Sequence, residues 1–190
     1  MMPGVLSDQG IRKILGKELI IDPFDPINLR PSSHRLRLDT IFLVMKKGEE
    51  PIDTRSSDTQ EWFDRVETNG SPFLLKPRTF VLAASLEKIG LSTNLTGILN
   101  TVSSLARVGL TTHGSSGLVP AGYGEREGAK LTFELFSYGS SPVWLYPGMP
   151  VCHLTLLRNT SAAERGYDKE GGFYRGVTVA ASNFKKHPLK

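Results

Sequence analysis

The sequence predicts a mainly β fold, a sandwich or barrel with a few short helices, in one domain. Three observations predict it. Short apolar runs recur at intervals of roughly eight to twelve residues, separated by Pro, Gly and Ser/Thr/Asn, the spacing of strands joined by turns. Leu131, Phe133 and Leu135 alternate with Thr132, Glu134 and Phe136, the period of a strand with one buried face. At 190 residues and 39% hydrophobic composition, the chain has enough apolar surface for one sizeable core.

Taken in order, Ser7 is placed to cap a helix running to about Leu15. Leu6 and Ile11 have the spacing of a hydrophobic staple, Ile11, Ile14 and Leu15 form one apolar stripe, and Gly16 ends it. Leu19, Ile20 and Ile21 make a short strand stopped at Asp22-Pro23. Asp25-Pro26 is a second interruption, because the residue before a proline is driven out of the helical region. Leu36, Leu38 and residues 41–44 read as a pair of strands. Residues 46–70 turn polar and charged, with Trp62, Phe63 and Val66 as the substantial anchors. Three anchors do not make a core, so this is an excursion from the same domain. Residues 73–75, 80–84 and 95–99 are further strands.

Residues 99–134 concentrate the reactive side chains. In SSLAR, a serine can cap a short helical turn that puts Ser103 and Arg107, four apart, on one face. Free backbone N–H groups beside a guanidinium suit a phosphate or a polar base edge; a plain surface turn fits the same letters. Glu134 leaves its strand on the side opposite the aliphatic set, as a solvent-facing carboxylate or as a functional one. His113 is a structural imidazole or a pocket residue. A Ser–His–Glu triad from Ser103 or Ser104, His113 and Glu134 lacks the surroundings of a nucleophile elbow. Further on, residues 143–146 and 151–157 flank Pro147-Gly148, a turn pair that predicts a hairpin, with Trp144 in the core. After Asn159 glycine and charge dominate, and a mobile tail is expected over 161–190.

Composition narrows the function classes. No apolar run approaches the roughly 20 residues that cross a bilayer, and the first residues lack the ordering of a signal peptide, so a cytoplasmic protein without a membrane partner is expected. One cysteine, Cys152, excludes an intrachain disulfide. The net charge of +4 is mild and scattered apart from Lys185, Lys186 and Lys190, with no basic stripe interleaved with aromatics, so no nucleic-acid partner is expected.

The ordered segments VLSDQGIRKIL, IIDPFDPINLRPSSHRLRLD, FLLKPRTFVLAASLEKIGLSTNLTGIL, SSLARVGLTTH, VPAGY, LTFEL and YPGMPVCHLTL resemble the dCTP deaminase and dUTPase superfamily, on its dCTP deaminase branch. The resemblance covers roughly residues 4 to 160, with a weaker echo in GYDKEGGFYRG. It implies a distorted jelly-roll-like β-barrel over 1–160, a homotrimer with sites between subunits, and a nucleoside triphosphate carrying Mg²⁺ on its phosphates. The implied reaction is deamination of dCTP to dUTP and ammonia without zinc; a single cysteine cannot build the His/Cys/Cys or Cys₃ centre of the zinc deaminases. Glu134 matches the family's general base and acid, with Ser103 and Arg107 positioning water and pyrimidine. Ser104, His113, Ser116, Tyr123 and Tyr167 are the substrate-binding positions that the resemblance implies, with Arg175 or Lys169 as a substitute phosphate partner. The alternatives are a nucleotide-binding or regulatory protein with little catalysis, and a dUTP diphosphatase.

Several residues depart from the family pattern. Pro120 in Val119-Pro120-Ala121-Gly122-Tyr123 stands where an acid contacts deoxyribose and, in dUTPases, activates water. Thr101-Val102 replaces a Gly-Arg pair, Arg35 stands where S-x-D-L-R-L has its acid, residues 124–128 are inserted before LTFEL, and Phe173-Tyr174-Arg175-Gly176 replaces a Gln-bearing tail motif.

Overall fold

The structure is a computed structural model and describes residues 3–114, 116–167, 169, 179, 181–182 and 184. The chain enters through β1 (Gly4–Val5) and α1 (Asp8–Ile14). Ser7 caps α1 as expected, its side chain accepting the Gly10 N–H, and Ile11 and Ile14 are buried. After β2 (Leu19–Asp22), Asp25 accepts the Ile27 N–H and caps a 3-10 turn at Pro26–Asn28. Next come β3 (Leu29–Arg30), β4 (Ser33–Met45), β5 (Phe63–Glu67), β6 (Phe73–Leu75), β7 (Phe80–Leu91) and β8 (Leu95–Thr101). A second 3-10 turn at Thr59–Trp62 precedes β5, and a short α2 (Ser103–Ala106), β9 (Leu110–Thr111), β10 (Leu118–Val119), β11 (Ala129–Ser137), β12 (Val143–Leu145) and β13 (Pro150–Arg158) complete the described elements.

One antiparallel sheet runs β10-β8-β13-β4-β7-β11-β9, with β1, β2, β3 and β5 attached along it. It curls into half a barrel, the mainly β architecture that the sequence predicts. β4 corrects the expected pair of strands: it is one strand of 13 residues. Its first half pairs with β13 and its second with β7 and β5, and the register shifts between Leu38 and Phe42 where it crosses over. Leu36 and Leu38 are buried before the shift, Phe42 and Leu43 after it. The polar break in the sequence therefore marks an irregularity that bends the strand, not a turn.

The turn at Pro147-Gly148 forms as expected: Met149 N donates to Tyr146 O, and Gly148 takes φ +83°. The expected hairpin does not. β12 pairs with β6, whereas β13 pairs with β4 and β8. The turn is pinned to β4 by Gly148 N donating to Leu38 O and Leu38 N donating to Met149 O, which delivers the chain to β4 rather than back along β12. Trp144 is likewise not in the core; it is 54% exposed. The β6–β12 ribbon buries Leu75 and Leu145 on one face, anchored by Phe73 stacked on Phe42 at 4.1 Å, so the cross-strand partners Leu74 and Trp144 face outward.

Two apolar clusters hold the sheet. The larger lies inside the curl and includes Phe42, Phe133, Leu135 and Leu154. The smaller lies on the outer face of β4 and β7, where Leu43, Leu82 and Ala84 meet Phe63 from the excursion and Val179 and Ala181 from the tail. Cover on both faces explains why FVLAA in β7 reads as a continuous apolar run. Of the expected anchors, Trp62 and Phe63 are half-buried but Val66 is exposed. The excursion and tail are joined directly: Thr59 N and Oγ1 both donate to Ser182 O, at 2.9 and 2.7 Å, and Phe184 N donates to Ser57 O at 2.7 Å. Among the described residues, no helix is long and apolar enough to cross a membrane.

His34 in β4 is fully buried, 5.3 Å from the Phe24 ring, and neither ring nitrogen has a hydrogen-bond partner. Burial holds its pKa down to about 4 from 6.5, against a weaker opposing pull from the Asp25 backbone. The neutral ring is the form this core accepts. Stability is therefore full above about pH 6.5 and falls as pH drops towards 4, by up to about 1.4 kcal/mol per pH unit. His34→Leu is expected to unfold in urea near the wild-type midpoint at pH 7.5 and to lose less stability than wild type at pH 5.

Candidate active site

β11 delivers Glu134. Its burial alternates along the strand as the sequence predicts, with Leu131, Phe133 and Leu135 buried inside the curl and Glu134 half-buried on the opposite face. The strand is held on both sides. Leu82 of β7 is its cross-strand partner, and on the other flank Glu134 N donates to Thr112 O (3.1 Å) while Gly114 N donates to Glu134 O (3.0 Å). That second set of bonds forms a parallel bridge between His113 and Glu134. Gly114 has φ +43°, and a Cβ there would overlap Glu134 Oε2 and lie 2.9 Å from Glu134 Cβ. A residue with a side chain at 114 would have to push the carboxylate aside.

Glu134 lines a cavity of about 730 Å³, of the size that holds a drug-sized ligand. Ser116, Tyr123 and Tyr167 line it too, so four of the ten predicted residues meet here. Tyr123 is fixed by its hydroxyl donating to Lys130 O (2.7 Å), and its ring lies 5.7 Å from that of Tyr167. The loop before Tyr123 packs backbone against backbone: Gly122, at φ +79°, touches Gly166, and Tyr167 N donates to Ala121 O. Pro120 is in the same wall and offers neither carboxylate nor N–H. Phe63, Thr59, Ser182 and Phe184 form the far wall, so the excursion and the tail close one side of the cavity. Sequence reasoning did not place them there, because their contribution depends on β5 pairing with β4.

The other predicted residues lie elsewhere. Ser103 and Ser104 open α2, and the expected serine cap is corrected: Val102 is the N-cap and makes no side-chain capping bond. Val102 and Leu105 are buried and seat the turn, which leaves both serine side chains exposed. The serines line a separate cavity of about 330 Å³ with Arg30, Arg35 and His153, and no residue is common to the two linings. Arg107 is exposed at the C-cap of α2 and lines neither cavity. His113 sits beside Glu134 with Nδ1 buried and unpartnered, outside the cavity lining. Lys169 is exposed, its N–H donating to Gly166 O, and Arg175 lies outside the described residues.

Among the described residues, no three His, Cys, Asp or Glu side chains are grouped to hold an ion. Cys152 is buried, its thiol pushed up to about 11 by desolvation. The smaller cavity presents guanidiniums and hydroxyls, with no carboxylate among its described lining residues.

A family model described as dCTP deaminase-like matches residues 5–159. The chain belongs to the dCTP deaminase-like family. Within that family, it is 35% identical over 177 residues to a protein of Persephonella marina, covering 93% of this chain and 96% of the relative. It is 39% identical over 176 residues to one of Corynebacterium efficiens, covering 90% and 89%. Both relatives are named dCTP deaminase, dUMP-forming. Among solved structures, the crystal structure of 2'-deoxycytidine 5'-triphosphate deaminase from Agrobacterium tumefaciens superposes with a TM-score of 0.67 at 18% identity, a likeness of fold. The match covers 96% of this chain, which spans about half the length of that protein, 54%. The relatives' names overturn one expectation from the sequence, that dUTP is the product: they are named for forming dUMP. The difference is chemical, since dUMP requires loss of diphosphate as well as of the amino group.

Proposed function

We propose that this chain converts dCTP and two waters to dUMP, ammonia and diphosphate. The observation that carries the reading is the Glu134 carboxylate, held by backbone bonds on both flanks of its strand at the wall of a ligand-sized cavity. The names of the relatives support the substrate and the product. Glu134 takes a proton from the water that attacks C4 of the cytosine, returns it to N3, and assists departure of the amino group as ammonia. Diphosphate leaves in a separate attack of water on the α-phosphorus, to which Pro120 contributes no acid–base group. Among the described residues lining this cavity, Glu134 is the one carboxylate.

Ser103, Ser104 and Arg107 join Glu134 through a second copy of the chain, in a homotrimer. Two observations support this: within one chain the serines face a different cavity, and Val108 and Tyr138 are exposed at 52% and 70%. The test is to incubate the purified protein with dCTP and follow ammonia and the nucleotide products together. Equimolar ammonia, dUMP and diphosphate are expected; saturable binding of dCTP without ammonia would leave a nucleotide-binding protein instead.

Gly114→Ala is expected to lower ammonia release by about 100-fold, because a misplacement on the order of 1 Å at a reacting group costs that much. The left-handed φ adds a stability loss of about 1 kcal/mol. Steady-state kinetics beside a thermal melt separate the two effects, and unchanged kinetics would show that the carboxylate tolerates displacement.

A further inference from the structure

Three register shifts in the sheet border Ser85 and Glu87 of β7. Between Lys130 and Thr132 of β11, Leu131 alone stands opposite Ser85, Leu86 and Glu87. β4 shifts against β7 between Leu38, the partner of Ser85, and Phe42. It shifts against β13 beside Arg37, whose partner is Pro150. Such a shift takes main-chain donors out of the ladder, and a buried one then needs a side-chain acceptor. Two side chains of β7 supply it. The Ser85 hydroxyl accepts from Leu131 N at 2.8 Å and donates to Glu87 O at 2.6 Å. The Glu87 carboxylate accepts from Arg37 N at 2.9 Å and from Arg37 Nε at 2.6 Å. Ser85 and Glu87 are fully buried. With its one proton committed to Glu87 O, the Ser85 hydroxyl presents a lone pair to Leu131 N.

Leu131 lies three residues before Glu134 on the same strand, and from Thr132 to Phe136 the pairing with β7 is regular, with Glu134 opposite Leu82. We infer that Ser85 is a positioning residue for the deamination: by accepting the Leu131 amide it holds the shift that sets where along β7 the Glu134 carboxylate stands. The inference rests on the proposed function for the role of that carboxylate. Ser85 itself is outside the cavity lining and acts through the strand. Without its hydroxyl, Leu131 N is a buried donor with no acceptor, and it recovers one by drawing residues 85–87 of β7 back into the ladder. That realignment displaces β11. A slip of one residue turns Glu134 to the buried face, and a slip of two keeps the face but moves the carboxylate roughly 7 Å along the sheet.

Three substitutions in the full chain test this. Ser85→Ala removes the hydroxyl; Ser85→Thr and Ser85→Val add the same bulk as each other and differ in whether the hydroxyl is kept. In Ser85→Ala and Ser85→Val, kcat for ammonia release from dCTP is expected to fall by about tenfold or more, with KM changed by less than about threefold. Ser85→Thr is expected to stay within about threefold of wild type in both constants. Amide hydrogen exchange needs no turnover. It is expected to quicken by about tenfold or more over β11 in the two hydroxyl-free variants and to stay unchanged over β8 and β13, where a general loosening would show equally. Unchanged kcat in folded Ser85→Ala, equal kcat in Ser85→Thr and Ser85→Val, or exchange that rises alike in every strand would overturn the inference. Failure of both hydroxyl-free variants to fold would overturn it too, by confining the hydroxyl to a structural role. Wild-type protein that releases no ammonia removes the proposed function, and the exchange pattern then still decides whether Ser85 sets the alignment of Glu134.

Discussion

Glu134→Gln is expected to reduce ammonia release from dCTP by about 10²- to 10⁴-fold, the range lost when a general base is removed. Glutamine keeps the size and shape of the side chain but cannot accept a proton from water. The substitution leaves the backbone bonds to Thr112 and Gly114 intact, because these are made by the main chain of Glu134. Folding and dCTP binding should therefore persist, which a thermal melt and calorimetry would check. Substantial turnover in a folded Glu134→Gln protein would remove the carboxylate from the chemistry and return it to the role of a polar strand residue.

A mixture of two inactive variants tests where the site lies. Arg107→Ala is expected to be inactive alone if Arg107 positions the pyrimidine, and Glu134→Gln is inactive for the reason above. Arg107 is exposed and outside the Glu134 cavity of its own chain, so a site using both draws them from different copies. In a ring of three made by refolding the variants together at equal amounts, roughly a quarter of the sites combine an intact Glu134 with an intact Arg107. Activity should recover to about that fraction of wild type. No recovery, in mixed assemblies whose stoichiometry is verified by mass, would place both groups in one chain or remove Arg107 from the reaction.

Local elements were legible because their causes are local. Ser7 caps α1 through the Gly10 N–H three residues on, and Pro147-Gly148 closes a turn through residues 146–149. The face carried by Glu134 followed from the period of LTFEL alone. Misreadings occurred where long-range pairing decides. Trp144 and its neighbours have the composition of a core strand, but their partner is β6, and a ribbon that buries one face exposes the other. The serines of SSLAR have the composition of a cap, yet with Val102 and Leu105 buried it is Val102 that takes the N-cap position, and the serines fall inside α2 with their side chains exposed. Arg35 stood out in the sequence as a departure from S-x-D-L-R-L, but its grouping with Arg30 and His153 did not, because the three come together only through the β3–β4–β13 register.

By itself the sequence determined the mainly β class, the family, and the strand face that carries the acid, since periodicity and ordered motifs are properties of neighbouring residues. Tertiary structure alone decided that the excursion and the tail wall the cavity beside Glu134, that Ser103 and Ser104 look into a different one, and that two arginines and a histidine surround it. Strand pairing across the sheet made those choices, because a hydrogen-bonded register fixes which distant side chains share a face.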